Sequence, residues 1–290
     1  MGRLMMIGNP RGGVNVLTKF GLILGCMLVF LVSAVQAADD NKADLHTNET
    51  ELAKKVQNPI SDLVSIPFQN NINFGYGSRK NTQYILNIQP VVPLSLNKEW
   101  NLIVRTLIPV ADQPVPERKF GLGDVQMTLL LSSATSGKLT WGLGPIFQFP
   151  TATGDSLGQG KWAAGPTAAV ILMKGPWVVG VIGNNIWSYA GESDRPAVNQ
   201  FQVQPLINYN LPKGWYISVS PLITANWKAD YASDRWTVPL GGGVGKIFKI
   251  GKLAFNGSLA AFGNVVKPEA GPDWSIRAQI GILLPKALFD

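Results

Sequence analysis

From Phe68 to the C-terminus, apolar and polar residues alternate with a period of two, which predicts strands with one apolar and one polar face. Between Phe201 and Leu211 the odd positions are Phe201, Val203, Pro205, Ile207, Tyr209 and Leu211. The even ones are Gln202, Gln204, Leu206, Asn208 and Asn210. Trp274, Ile276, Ala278, Ile280, Ile282 and Leu284 likewise oppose Ser275, Arg277, Gln279 and Gly281. Near the start, Phe68, Ile72, Phe74 and Tyr76 oppose Gln69, Asn71 and Asn73, and Tyr84, Leu86 and Ile88 oppose Gln83, Asn87 and Gln89. The middle is less regular, and 163–173 and 178–188 are apolar on both faces in places. Twelve segments follow: about 66–76, 83–96, 100–110, 123–134, 139–149, 162–173, 177–188, 200–211, 215–227, 236–248, 253–264 and 274–284.

The connections decide what the strands build. Five are very short: 97–99, 135–138, 174–176, 212–214 and 249–252. Six longer polar ones lie between them: 77–82, 111–122, 150–161, 189–199, 228–235 and 265–273. Strict alternation of short turns with long loops is the plan of a transmembrane β-barrel with an even strand number and both ends on the periplasmic side. The fold class is therefore all-β: an antiparallel up-and-down transmembrane barrel of about twelve strands. All nine Trp lie at or near strand ends. Trp215 and Trp227 share parity and are twelve residues apart. That is roughly 30 Å along the membrane normal for a tilted strand, the separation of two interfacial aromatic girdles. Pro90, Pro109, Pro145, Pro166, Pro205, Pro221 and Pro239 fall inside the strands, so bulges or ladder breaks are required there. The Gly241-Gly242-Gly243 run marks a bend or a narrow place.

The N-terminus reads differently. A basic stretch with Arg3, Arg11 and Lys19 precedes an apolar run from Gly21 to Val35, then Gln36-Ala37-Ala38. This order is that of a cleaved secretory signal over 1–37, and the run is shorter than the ~20 residues of a spanning helix. Residues 38–65 form a periplasmic lead-in, in which Leu45, Leu52 and Val56 recur at helical spacing after a cap at Thr47 or Asn48. The barrel occupies 66–290. The net charge of +7 is scattered and includes the signal, so no nucleic-acid patch is formed. The single Cys, Cys26, lies in the signal, which excludes a disulfide framework in the exported form.

Several stretches carry a family resemblance. They are Ala53-Lys-Lys-Val-Gln-Asn-Pro-Ile60, Ile66-Pro-Phe-Gln-Asn-Asn71, Leu86-Asn-Ile-Gln-Pro-Val-Val-Pro93, Gly158-Gln-Gly-Lys-Trp162, Trp236 to Lys246, and Gly271-Pro-Asp-Trp274. With them the chain resembles the bacterial outer-membrane barrel proteins of the phenol-degradation meta-pathway, often labelled "transporter" or "neuromedin U". The resemblance implies an outer-membrane barrel connected with uptake of small, often aromatic compounds. It supplies no catalytic residues. Barrels of this kind often end in an aromatic residue read during assembly, whereas here Phe289 is followed by Asp290.

Catalytic motifs are scarce. The one His, His46, precedes the barrel, so a His-dependent hydrolase is not expected. Lys246 after the glycine run is followed by Ile247 rather than Ser or Thr, which breaks the phosphate-loop pattern. No cofactor and no metal are expected; loop acids such as Asp155, Glu192 and Asp234 read as solvated residues. The parity rule places Gln69, Asn73, Asn87, Gln89, Arg105, Asp124, Gln202, Gln204, Asn208, Arg277 and Gln279 on the lumen wall. A lining with so few charges favours neutral or aromatic solutes over acidic sugars or phosphate. The expected function is a channel or transporter for small molecules. The alternative is a non-transporting barrel with a plugged lumen, serving structure or sensing. Expected partners are outer-membrane lipid and lipopolysaccharide, the barrel assembly machinery and an unidentified solute.

Overall fold

In the computed structural model, described for Glu49–Leu284 apart from Asp62, Thr135, Ser136 and Lys252, one short helix precedes a sheet that closes on itself. The signal, its cleavage site, the helix cap, His46 and Phe289 lie outside the described residues. The helix, α1, is Glu49–Gln57. The strands are β1 Val64–Tyr76, β2 Asn81–Ile88, β3 Val91–Ser95, β4 Trp100–Gln113, β5 Lys119–Leu122, β6 Val125–Ser133 and β7 Leu139–Phe149. They continue as β8 Lys161–Lys174, β9 Trp177–Gly191, β10 Asn199–Asn210, β11 Trp215–Val219, β12 Ile223–Asn226, β13 Trp236–Ile250, β14 Leu253–Val266 and β15 Trp274–Leu284. Three staves are interrupted: β2 with β3, β5 with β6, and β11 with β12. The result is a closed antiparallel barrel of twelve staves. The seam is β1 on β15, paired from Val64 opposite Leu284 to Phe74 opposite Trp274. Closure satisfies every edge, which an open sheet in hydrocarbon cannot do.

The prolines explain the interruptions, because each lacks an N–H for the ladder. Pro90 separates β2 from β3, and Pro221 separates β11 from β12. Pro109 accepts a bond from Gly123 N at 2.8 Å, opposite the gap between β5 and β6. Pro145 faces Pro166 across β7 and β8. Pro239 sits at the register shift between β13 and β14. Pro205 stays in a continuous register against Val181, as Pro67 does against Gly281 and Pro93 against Ile103.

The strands run further than the sequence pattern suggests. Loop 111–122 contracts to 114–118, because β4 continues to Gln113 and β5 begins at Lys119. Residues 119–122 pair with 110–113 and lengthen the hairpin at the long-loop end. That end is also tied across the seam. Gly77 N donates to Ala270 O at 2.8 Å, and Asp273 takes bonds from Lys80 at 3.0 Å and Lys267 at 3.2 Å.

Outward faces are apolar. Leu143, Val170, Val181, Val244 and Leu259 are exposed, as a lipid-facing band requires. Two sets of Trp bracket it. Trp100, Trp141, Trp177 and Trp215 lie beside the short turns, and Trp162, Trp187, Trp227, Trp236 and Trp274 lie beside the long loops. Several are held by neighbours: Trp100 on Trp141 at 6.0 Å, Trp177 on Tyr209 at 4.8 Å and Trp274 on Phe74 at 4.1 Å. The Lys246 ammonium stands 5.1 Å from the centre of the Trp215 ring, a cation–π contact across the paired strands β11 and β13.

Two outcomes follow. Leu259→Arg, in the middle of the apolar band, should destabilise the barrel by about 2–4 kcal/mol in denaturant titrations in lipid vesicles, whereas Ile250→Arg at the rim should cost about 0–1 kcal/mol. Equal costs would place Leu259 away from the bilayer midplane. Secondly, Lys80 first and Lys267 second hold the Asp273 carboxyl below the ordinary aspartate range. A depressed carboxylate contributes stability above the pH where a free aspartate titrates, and loses it as pH falls through the lowered value. Carboxyl-carbon NMR titration should show a low midpoint for Asp273 that rises in Lys80→Ala.

Candidate lumen and its internal constriction

The polar faces of the strands turn inward, and two adjoining chambers among the described residues are lined by them. The larger, about 190 Å³, adjoins α1 and is lined by Gln57, Asn58, Asn208, Tyr216, Ser218, Asn256, Ser258 and Gln279 among others. The smaller, about 100 Å³, is lined by Asn87, Leu107, Gln126, Thr128, Ile146, Thr167, Asn184, Gln202 and Leu222. Six residues line both: Gln69, Gln89, Arg105, Ile182, Gln204 and Arg277. They form the neck between the chambers. Nine of the eleven residues anticipated from parity therefore line a chamber, and Asn73 and Asp124 do not.

Asn73 lies nearer the long-loop mouth. Its amide donates to Gln83 at 2.8 Å, Gln83 bonds Gln113, and Gln113 donates to Tyr76 at 3.1 Å. Asp124 holds a loop: it accepts from Ala152 N at 3.3 Å and Gln159 N at 2.6 Å in the gap between β5 and β6. Loop 150–160 is clamped again by Arg195, which donates to Asp155 O at 2.7 Å and to Gly158 O. Asp234 accepts from Glu269 N at 2.9 Å, joining two other loops. Among the described residues no group of three or more acids, His or Cys could hold a metal ion.

The opposite end is filled. Leu52 and Ala53 of α1 pack with Tyr216, Ile247, Ala254 and Leu283 inside the barrel wall. Beyond the helix, Ile60 is buried with Ile103, Leu130, Ala169, Ile171, Val178 and Ile182. This is why 163–173 and 178–188 read as apolar on both faces: one face meets lipid and the other meets the plug. Polar contacts fix the segment. Gln57 and Asn210 exchange amide bonds at 2.9 and 3.1 Å, and the Asn58 amide reaches Thr140 at 3.4 Å. Gly245 makes room, since a Cβ there would stand 2.2 Å from the Tyr216 ring. Tyr216 in turn donates to Asn256 at 2.7 Å. The Gly241-Gly242-Gly243 run lies just before Gly245, where an added Cβ would meet the backbone oxygens of Ala261, Ser218 and Leu259 on the neighbouring strands.

Sequence reasoning missed part of this lining. Gln126, Thr128 and Asn184 follow the same parity and were legible by extending it into the irregular strands. Asp112 lay in a segment expected to be loop. It is 1% exposed and accepts from Arg118 Nε at 3.0 Å. Nothing in the local pattern marks Gln57 and Asn58 as barrel-interior residues.

The fold places the chain among known barrels. A solved structure, the COG4313 outer membrane channel from Pseudomonas putida F1, matches with a TM-score of 0.59 at 16% identity, over 77% of this chain and 94% of that one. The NanC porin matches with a TM-score of 0.50 at 9% identity, over 77% and 99%. At such identities the likeness is one of fold: an outer-membrane-type β-barrel. No protein-family model matches the chain, and no curated protein matches it.

Ile60→Asp should release the plug, because an unpaired carboxylate in that cluster costs several kcal/mol. The readout is trypsin cleavage at Lys54 and Lys55, expected to accelerate about tenfold or more as local opening becomes easier. An unchanged cleavage rate would mean that Ile60 does not hold the segment.

Proposed function

We propose that this chain is an outer-membrane channel for small organic solutes, neutral or aromatic, whose short-turn end faces the periplasm and is closed by its own N-terminal segment. The observation that carries the reading is the pair of amide-lined chambers joined at one neck inside a closed barrel. Twelve staves lie between the filled eight-strand and the open larger barrels, so a narrow conduit is the natural outcome. The channel and porin folds of the two matching structures agree with it. The resemblance to phenol meta-pathway barrels is the ground for aromatic solutes. The apolar band with its Trp girdles supports residence in the outer membrane, in contact with lipid and lipopolysaccharide after export and delivery to the assembly machinery. No catalytic role is proposed.

A second reading, a non-transporting scaffold, is favoured by the plug itself. The two diverge in planar bilayers and in proteoliposome uptake of a panel of neutral and aromatic solutes. Under the channel reading, Ile60→Asp conducts more than the parent protein and admits panel members faster. If the variant shows a released plug by proteolysis yet neither conducts nor takes up any solute, the scaffold reading replaces the channel.

A further inference from the structure

The neck holds two arginines and no acid. Arg105 donates to Gln89 Oε1 at 2.6 Å. Arg277 donates to Asn71 Oδ1 at 3.2 Å and to Ser220 O at 3.0 Å, with its guanidinium 4.7 Å from the Phe262 ring centre. Among the described residues neither has a carboxylate within ion-pair distance, whereas Asp112, the deeply buried acid, is taken by Arg118. A guanidinium carries five N–H donors. One bond at Arg105 and two at Arg277 leave most of them without a protein acceptor.

The surroundings deepen the imbalance. Asn71 Oδ1 already accepts from Gln69 at 3.3 Å, and Ser220 O from Gln204 at 3.3 Å. Two acceptors thus serve four donors. Ser220 lies beside Pro221 in the break between β11 and β12. The same break brings Leu222 to the smaller chamber, beside Leu107, Ile146 and Ile182. A donor-rich, doubly cationic neck adjoins a mostly amide-lined chamber that also carries these four apolar side chains.

We infer that the Arg105–Arg277 neck is a binding site for the carboxylate of a small organic monoanion, whose apolar remainder rests against Leu107, Ile146, Ile182 and Leu222. The inference rests on the channel reading for its purpose but not for its chemistry. A carboxylate offers two oxygens and about four lone-pair directions to the unused N–H groups, and its charge offsets two guanidinium ions drawn out of bulk water. The neck thereby refines the expectation from the low overall charge. The wall as a whole is nearly neutral, but the lining that the two chambers share is positive.

The test uses the full-length protein in detergent micelles with Arg Nε–Hε resonances observed by NMR, and butyrate against its uncharged isostere butyramide. Butyrate should shift the Arg105 and Arg277 signals saturably, and butyramide should bind at least about tenfold more weakly, the discrimination that one charge-assisted hydrogen bond supplies. In Arg105→Gln and Arg277→Gln, butyrate affinity should fall about tenfold or more each, while Arg105→Lys retains part of it. Equal binding of butyrate and butyramide, or unchanged affinity in both Gln variants, overturns the site. Chloride competing as well as butyrate overturns the apolar half of it. In planar bilayers the Ile60→Asp background should be anion-selective and lose that preference when both arginines are replaced by Gln. Butyrate binding without any conductance would keep the site and sink the channel reading; conductance without discrimination would do the reverse.

Discussion

Hydrocarbon offers no hydrogen bonds, so every backbone N–H and C=O that crosses it must find a partner within the protein. That requirement makes the β1–β15 seam the contact on which the rest depends. Once the ring is shut, alternate side chains have only two destinations. Odd residues of β10 meet lipid and even ones meet the interior, and the assignment propagates from stave to stave through antiparallel register. The prolines are tolerated under the same rule, since most of them lie where the ladder is interrupted, shifted or faced by another proline.

Closure creates a second problem, an interior too wide for wall side chains to fill. The chain treats the two ends differently. At the short-turn end the solution is hydrophobic: α1 and the segment through Ile60 provide an internal core that the wall alone lacks. Towards the long loops the solution is polar, with amides bonding amides through Asn73, Gln83 and Gln113, and through Gln126, Gln148 and Gln159. Between the two lies space that neither closes, and there the arginines stand.

Much of this was legible in the chain itself. The strand pattern located every stave to within a few residues, as with Trp274–Leu284 and Leu139–Phe149, because one face in lipid and one in a polar lumen leave a strict period of two. Nine of the eleven residues that the same parity turns inward line one of the two chambers. The other two have other engagements, for physical reasons. Asn73 faces inward but is engaged by Gln83, and Asp124 sits where the strand leaves the ladder and serves loop 150–160. Asp112 was hidden because the hairpin carrying it extends beyond the alternating stretch, held by pairing with Phe120.

The sequence alone determined that the chain would form a barrel, how many staves it would have, and which face of each would be wet. Those are consequences of local periodicity and turn length. The tertiary structure decided what occupies the interior. Ile60 and Ile103 are distant in sequence, and so are Arg105 and Arg277; the first pair packs together and the second lines the same chambers only through the curvature and register of the closed ring. Whether a polar inward residue is spent on a neighbour or left facing a chamber depends on what stands across the lumen, and no single strand carries that information.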